Sequence, residues 1–290
     1  NSSISSALFL SDYVYYFAGQ EYNNALSLSK PFLHTWTLSV EIQFYLIFPL
    51  VFIFLYKFNK KLLILILTLL SLLSLLFFYI YSQDNKSLAF FSFQSRFWQF
   101  SVGSLLYLFR LKYERGFQKN NNLNNLFSLF GFLIVIITTI FNNHLNLLYS
   151  FDLFSHSVLI VIGSAFVIFN YDNKIILTKF LSNKLLVFIG LISYSIYIWH
   201  YPILIFSKLF YIKNIYFILI FIILISTISY LTLELPAKKM NNRKLLLVLA
   251  LFFSIIIFAN STFIKNDGYK NRYPEIMFKN FDEKTYDLLK

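Results

Sequence analysis

The sequence predicts an all-α fold, a polytopic transmembrane bundle of about eight helices. Three observations carry that expectation. Hydrophobic residues make up 58% of the chain and mean hydropathy is +0.65, far from the roughly half-apolar balance of a soluble domain. The apolar residues gather into continuous runs near 41–56, 62–81, 88–109, 123–141, 154–170, 186–206, 211–232 and 245–264. A helix needs about 20 mostly apolar residues to cross the hydrocarbon core, and lipid requires its backbone groups to be satisfied internally. Finally, Lys and Arg alternate between loops: fourteen fall in the first, third, fifth and seventh, against five in the intervening loops and the segment before the first span. Cytoplasmic loops collect basic residues, so the net charge of +12 reads as topology and not as a nucleic-acid footprint. Both the start of the chain and its C-terminal tail are expected outside the cytoplasm. Cysteine is absent, which excludes a disulfide framework, a thiol nucleophile and a Cys-based metal site; no metal is expected.

Taken in order, residues 1–36 form a polar and aromatic outer segment with Asp12 and Glu21. The chain opens at Asn1, and NSSISSALFL reads as the end of a helix whose beginning lies outside this sequence. The membrane body follows over 37–264. Within it the Asn-rich stretch 120–125 is expected as a short cytoplasmic turn. From 265 to 290 acidic and basic residues mix almost evenly, as in an extracytoplasmic linker.

Ionisable groups inside a bilayer cost several kcal/mol or more and are functional candidates by default. The first lies in PFLHTWTLSVEIQFY, where the outer segment enters the first span. With helix from about Thr37, Glu41 and Tyr45 share a face and His34 lies just above. A sugar hydroxyl is a poor nucleophile until a base takes its proton, and a positioned His is the usual base. A nearby carboxylate orients the imidazole and stabilises its charged form. Glu41 equally suits a helix N-terminus, with Trp36 and Tyr45 as interfacial residues.

The second candidate is Arg96, in QSRFWQ. In a span starting near Leu88 it lies ~12 Å down the helix and needs a carboxylate, a phosphate or backbone carbonyls; with a later start it snorkels to the surface. The third is SYSIYIWHYP, where His200 falls near the outer end and shares a face with Ser193. Pro202 cannot donate, which frees the carbonyl of Ile198 as an acceptor. At Glu234-Leu235-Pro236, the proline is expected to end the helix, and Glu234, followed by Lys238 and Lys239, reads as structural. The topology places His34, Glu41, Arg96 and His200 in the same outer half of the membrane. The three tryptophans, Trp36, Trp98 and Trp199, each lie within two residues of His34, Arg96 or His200. His144 and His156 show no partner pattern.

At these segments the chain resembles a known family. HTWTLSVEIQFYLIFPL is similar to the signature of acyltransferase-3 membrane proteins, His-(Thr)-Trp-Ser-Leu-Ser-Val-Glu-Glu-Gln-Phe-Tyr. SRFWQFSVGSLL resembles the family's Arg-x-Trp-(acidic)-x-x-x-Gly helix. LISYSIYIWHYPIL, with Gly190 before it, resembles the late Ser-Tyr-x-x-Tyr-x-Trp-His-x-Pro helix, and ELPAKK the closing Glu-x-Pro element. The four occur in order across about 30–240. Thr37 replaces the usual Ser, Ile42 the second Glu, and Gln99 a frequent acidic residue. The first-helix Arg and His that the family is thought to use for the acyl donor are not in this sequence, so these residues alone are not expected to complete a catalytic cycle. The last span and the tail around Asn266-Asp267-Gly268-Tyr269 resemble members that lead into an SGNH hydrolase-like outer domain.

The resemblance implies an O-acyltransferase with no permanently bound cofactor. It would use cytoplasmic acyl-CoA, most often acetyl-CoA, as co-substrate. The acceptor would be a hydroxyl of an extracytoplasmic polysaccharide such as lipopolysaccharide O-antigen, exopolysaccharide or peptidoglycan. Within that reading His34 and Glu41 form the base pair and His200 completes the catalytic set, shaping the acceptor pocket with Trp199. Arg96 is the electrostatic anchor, and Trp36, Tyr45, Trp98, Ser193 and Tyr197 line the substrate path. The partners are the lipid bilayer, the glycan acceptor and the acyl-CoA donor, with no nucleic acid. The alternative is a transporter or flippase for a lipid-linked or small polar substrate, which paired broken helices with midplane polar sites would favour; a structural membrane subunit is the third reading.

Overall fold

The computed structural model describes residues 2–17, 30–117, 121–144, 153–170 and 176–266. The expected tail, 267–290, lies outside the described residues, as does much of the outer segment's Tyr/Asn-rich middle, 18–29. Among the described residues all regular structure is helical.

Two short helices, α1 (Ser2–Ala7) and α2 (Ser11–Phe17), come first. A 3₁₀ turn over Leu33–Thr35 leads into α3 (Trp36–Phe58). Then follow α4 (Lys60–Asp84), α5 (Lys86–Phe91), α6 (Phe93–Phe117), α7 (Asn121–His144), α8 (Leu153–Phe169) and α9 (Ile176–Leu181). Next come α10 (Lys184–Leu209) and α11 (Ile215–Ser229), a π-helical turn over Tyr230–Glu234, α12 (Leu235–Lys239) and α13 (Asn242–Lys265).

The eight apolar runs coincide with helical segments, the third with two of them. Among the described residues, six stretches are long and apolar enough to cross a membrane: Leu33–Lys57, Lys60–Asp84, Asn122–Ile140, Lys184–Leu209, Ile215–Lys239 and Asn242–Thr262. Leu153–Phe169 is a shorter apolar helix. Leu, Ile and Phe side chains cover their outward faces, among them Leu73, Ile220 and Leu247. In water such a surface would aggregate; in lipid it is the expected exterior. Asparagine, abundant in the chain, serves as a cap. Asn59 Oδ1 accepts from the Lys61 amide at 2.9 Å, Asn85 from Leu88 at 3.0 Å and Asn214 from Phe217 at 3.2 Å, satisfying amides that a helix start leaves without partners.

The third apolar run departs from expectation. Rather than one helix from Leu88, it is two, broken at Ser92, whose backbone is extended (ψ 141°). Ser95 Oγ reaches back to the carbonyls of Ala89 at 2.6 Å and Ser92 at 2.8 Å. From α4, the Ser74 hydroxyl enters the first turn of α6: it donates to the Gln94 carbonyl at 2.6 Å and accepts from the Trp98 amide at 3.0 Å. It thus stands between two groups that an uninterrupted helix would join directly. Arg96 therefore sits in the opening turn of a new helix and not deep along an old one.

Pro236 is a second departure. The chain stays helical through it to Lys239. In an α-helix the proline ring would strike the carbonyl four residues before it. Here the ladder widens instead, with the Leu235 amide bonded to the Tyr230 carbonyl five residues back, and the π turn gives the ring room.

The chain divides into two compact units, Asn1–Ser39 with Ile192–Lys290, and Val40–Leu191. In the second, α4 packs on α6 and α7 on α8. Leu63, Leu67 and Leu108 form one core and Phe78, Ala89 and Trp98 another. The α7–α8 contact is close because Gly131 faces Gly163, as small residues allow where helices pack in lipid. In the first unit α1 and α2 pack against the turn that carries His34, and the later helices bring the SYSIYIWHYP segment.

Candidate active site

The first unit gathers two of the sequence motifs around one imidazole. His34 lies in the 3₁₀ turn, 4% exposed. Its ring centroid is 5.2 Å from Tyr197, 5.3 Å from His200 and 5.3 Å from Tyr201. Both ring nitrogens are buried and neither has a hydrogen-bond partner among the described residues. Pro202 lies inside α10, where it leaves the Ile198 carbonyl without the amide that an ordinary residue would supply.

Hydroxyls fix the turn. The Tyr197 hydroxyl donates to the His34 carbonyl and also bonds Thr37 Oγ1, while Thr37 Oγ1 donates to the same carbonyl at 3.2 Å. Thr35 Oγ1 donates to the Phe32 carbonyl at 2.7 Å and to Ser6 Oγ at 2.8 Å. Ser11 and Ser39 join their hydroxyls at 2.8 Å. Replacing Tyr197 with Phe leaves the His34 carbonyl held by Thr37 alone. We expect a loss of about 1 kcal/mol in stability and about a tenfold fall in turnover from the loosened turn, measured as Tm in detergent and acyl transfer in membranes.

His200 is half-buried, and its Nδ1 lies 2.8 Å from the Tyr197 carbonyl and 3.2 Å from the Ile196 carbonyl. Trp199 is 36% exposed beside it, Ser193 is exposed two turns earlier, and Trp36 is buried. Buried Ser195 donates to Glu234 Oε1, and Glu234 Oε2 lies 3.9 Å from Lys238 Nζ. The Glu-x-Pro element is thereby tied to the helix bearing Tyr197 and His200.

Tyr201, Tyr15, Ser195 and the Ser11–Ser39 pair were not candidates from sequence. Tyr15 is buried on α2, and its phenol is pushed up to about 12, first by burial and then by Tyr201. One signal was available: Tyr201 sits between His200 and Pro202, in the position the motif leaves unspecified.

The remaining candidates belong to the second unit. Glu41 is half-buried on α3, while Tyr45, one turn on, is 59% exposed. Arg96 Nε donates to the Phe90 carbonyl at 3.2 Å, and the guanidinium lies over the rings of Phe90, at 5.2 Å, and Phe78, at 5.5 Å. Of the three partner types expected for it, a backbone carbonyl is present. Trp98 is buried in the core that contains Phe78, its ring 6.1 Å from that residue. His156 is half-buried on α8; the side chain of His144 lies outside the described residues.

Comparison with known proteins decides the family. The acyltransferase-3 profile, described as an acyltransferase domain, matches residues 3–234. This chain belongs to the acyltransferase-3 family. The O-acetyltransferase OatA of Staphylococcus aureus strain NCTC 8325 / PS 47 is 28% identical over 254 residues, which cover 82% of this chain and 41% of that protein. A second S. aureus relative, SACOL0978 of strain COL, carries a provisional O-acetyltransferase name and is 27% identical over 223 residues, 72% of this chain and 36% of its own. The chain thus spans about two-fifths of the length of these acyltransferase-3 relatives. No solved structure matches it. Family and helices together make this a multi-pass membrane protein with an acyltransferase domain.

Proposed function

We propose that this chain is the acceptor-facing part of a membrane O-acetyltransferase that moves an acetyl group from cytoplasmic acetyl-CoA to a hydroxyl of an extracytoplasmic polysaccharide. It resides in the bacterial inner membrane with its C-terminal tail outside. The observation that carries the reading is the joining of His34 to Tyr197, His200 and Tyr201 in one cluster built from two family motifs. Such a cluster offers imidazole nitrogens to take a hydroxyl's proton and phenols to bind a polyol, the equipment that O-acylation of a sugar needs. The O-acetyltransferase names of the relatives support the acetyl group. By the family resemblance, Glu41 takes the role of the carboxylate that assists the base and Arg96 that of an electrostatic anchor, while Trp199 shapes the acceptor pocket.

The test is transfer of labelled acetyl from acetyl-CoA to surface glycan in membranes carrying the full-length protein, wild type against Glu41→Gln at matched amounts. Loss of about a hundredfold in the variant places Glu41 in the chemistry. Equal transfer removes Glu41 from the site and leaves the enzyme class standing. Wild type that labels no glycan overturns the reading and favours a transporter.

A further inference from the structure

The two histidines of the cluster do not have interchangeable roles. Carbonyl oxygens accept hydrogen bonds and never donate. His200 Nδ1, set against the carbonyls of Tyr197 at 2.8 Å and Ile196 at 3.2 Å, is therefore the protonated nitrogen of the neutral ring, an assignment made from its acceptors. The lone pair is left on Nε2, the arrangement by which a backbone carbonyl fixes the tautomer of a working histidine. His34 is placed differently: it is 4% exposed, and both its ring nitrogens are buried with no hydrogen-bond partner among the described residues. Closed off in this way, it offers an acceptor hydroxyl no open nitrogen. The sequence alone, which sees two histidines beside two tryptophans, assigns the base to His34.

We propose that His200, through Nε2, is the base that takes the proton of the acceptor hydroxyl, and that His34 is a positioning residue against which the His200 ring rests. This rests on the O-acetyltransferase reading above. In the step, the hydroxyl proton passes to Nε2 as the hydroxyl oxygen bonds to the acyl carbon of an activated acyl donor. The bond from that carbon to its leaving atom breaks, and Nε2 returns the proton to the leaving group. Nδ1 keeps its proton throughout, so the Tyr197 and Ile196 carbonyls carry the partial charge of the transient imidazolium. The i, i−3 and i, i−4 geometry that holds the ring lies within α10, so it needs no other element to be in place.

One amide substitution separates the two nitrogens, and a second variant tests for rescue by added base. In His200→Asn the side-chain amide reaches the Nδ1 position and keeps the donor to the carbonyls, but nothing replaces the Nε2 lone pair. Acetyl transfer by the full-length protein in membranes is expected to fall by about a hundredfold or more, with the KM for acetyl-CoA unchanged. In His200→Gly, added imidazole is expected to restore part of the lost rate. A smaller fall in His200→Asn overturns the assignment. Where His200→Asn does not accumulate in the membrane, the rescue decides alone, and no restoration by imidazole overturns it. Wild-type transfer is the control in every case, so a failure of the proposed reaction is seen separately from a failure of this residue's role.

Discussion

His34→Ala is expected to reduce acetyl transfer by about a hundredfold while the protein still inserts and accumulates. The ring is buried among Tyr197, His200 and Tyr201, so truncation removes the surface on which the His200 ring rests. A displacement of about 1 Å at a reacting group is enough to cost on the order of 10²-fold. Backbone ties survive the change, because the Tyr197 and Thr37 hydroxyls grip the His34 carbonyl and not its side chain. The companion variant His34→Gln keeps more of the bulk that rests against His200 and should retain clearly more activity than alanine. Labelled-acetyl transfer at matched protein amounts measures both. Were alanine and glutamine equally inactive, His34 would be acting as a base and the positioning role assigned to it would fall.

The largest expected effect on stability lies at the contact of α7 with α8. A Cβ at Gly131 would stand 2.6 Å from the Gly163 carbonyl oxygen and 2.6 Å from the Phe166 Cβ. Neither is the movable end of a flexible side chain, so α7 and α8 must separate. Overpacking of this kind costs about 1–3 kcal/mol, and Gly131→Ala should lower the Tm in detergent by several degrees. Gly163→Ala meets the Gly131 oxygen at 2.8 Å and should act alike. Gly103→Ala and Gly190→Ala, where nothing lies within 4 Å of the added carbon, are the controls and should leave Tm unchanged. A similar loss at all four positions would mean that the effect is intrinsic to the helices and not to their contact.

The fold was legible because lipid imposes it: eight apolar runs fell on helices, and the length needed to cross hydrocarbon leaves little choice of structure. The site was partly legible for a different reason. The two motifs that each carry a histidine could be read from the chain, and their rings lie 5.3 Å apart. The misreadings came where a side chain from elsewhere decided the backbone. Nothing in LAFFSFQSRFW marks a break, as neither Gly nor Pro occurs there; the Ser74 hydroxyl that enters the first turn of α6 comes from 20 residues earlier than Gln94. Tyr201 was hidden by abundance, one of 21 tyrosines in the chain. The division of labour between His34 and His200 was invisible because it depends on how deeply each ring is buried and on the carbonyls that His200 Nδ1 meets, and carbonyls carry no residue identity.

The widened turn over Tyr230–Glu234 holds one residue more than an α-helix would place there. Each residue of an α-helix advances the face by about 100°, so the extra one sets the angular phase of everything that follows it. Deleting a residue before Glu234 would restore the ordinary ladder, yet it would press the Pro236 ring onto a carbonyl and rotate Glu234, with Lys238 beside it, about a quarter-turn away from Ser195. Length variation between relatives should therefore be tolerated in the loops of this protein and be absent from these five residues, where spacing, more than side-chain identity, is what is inherited.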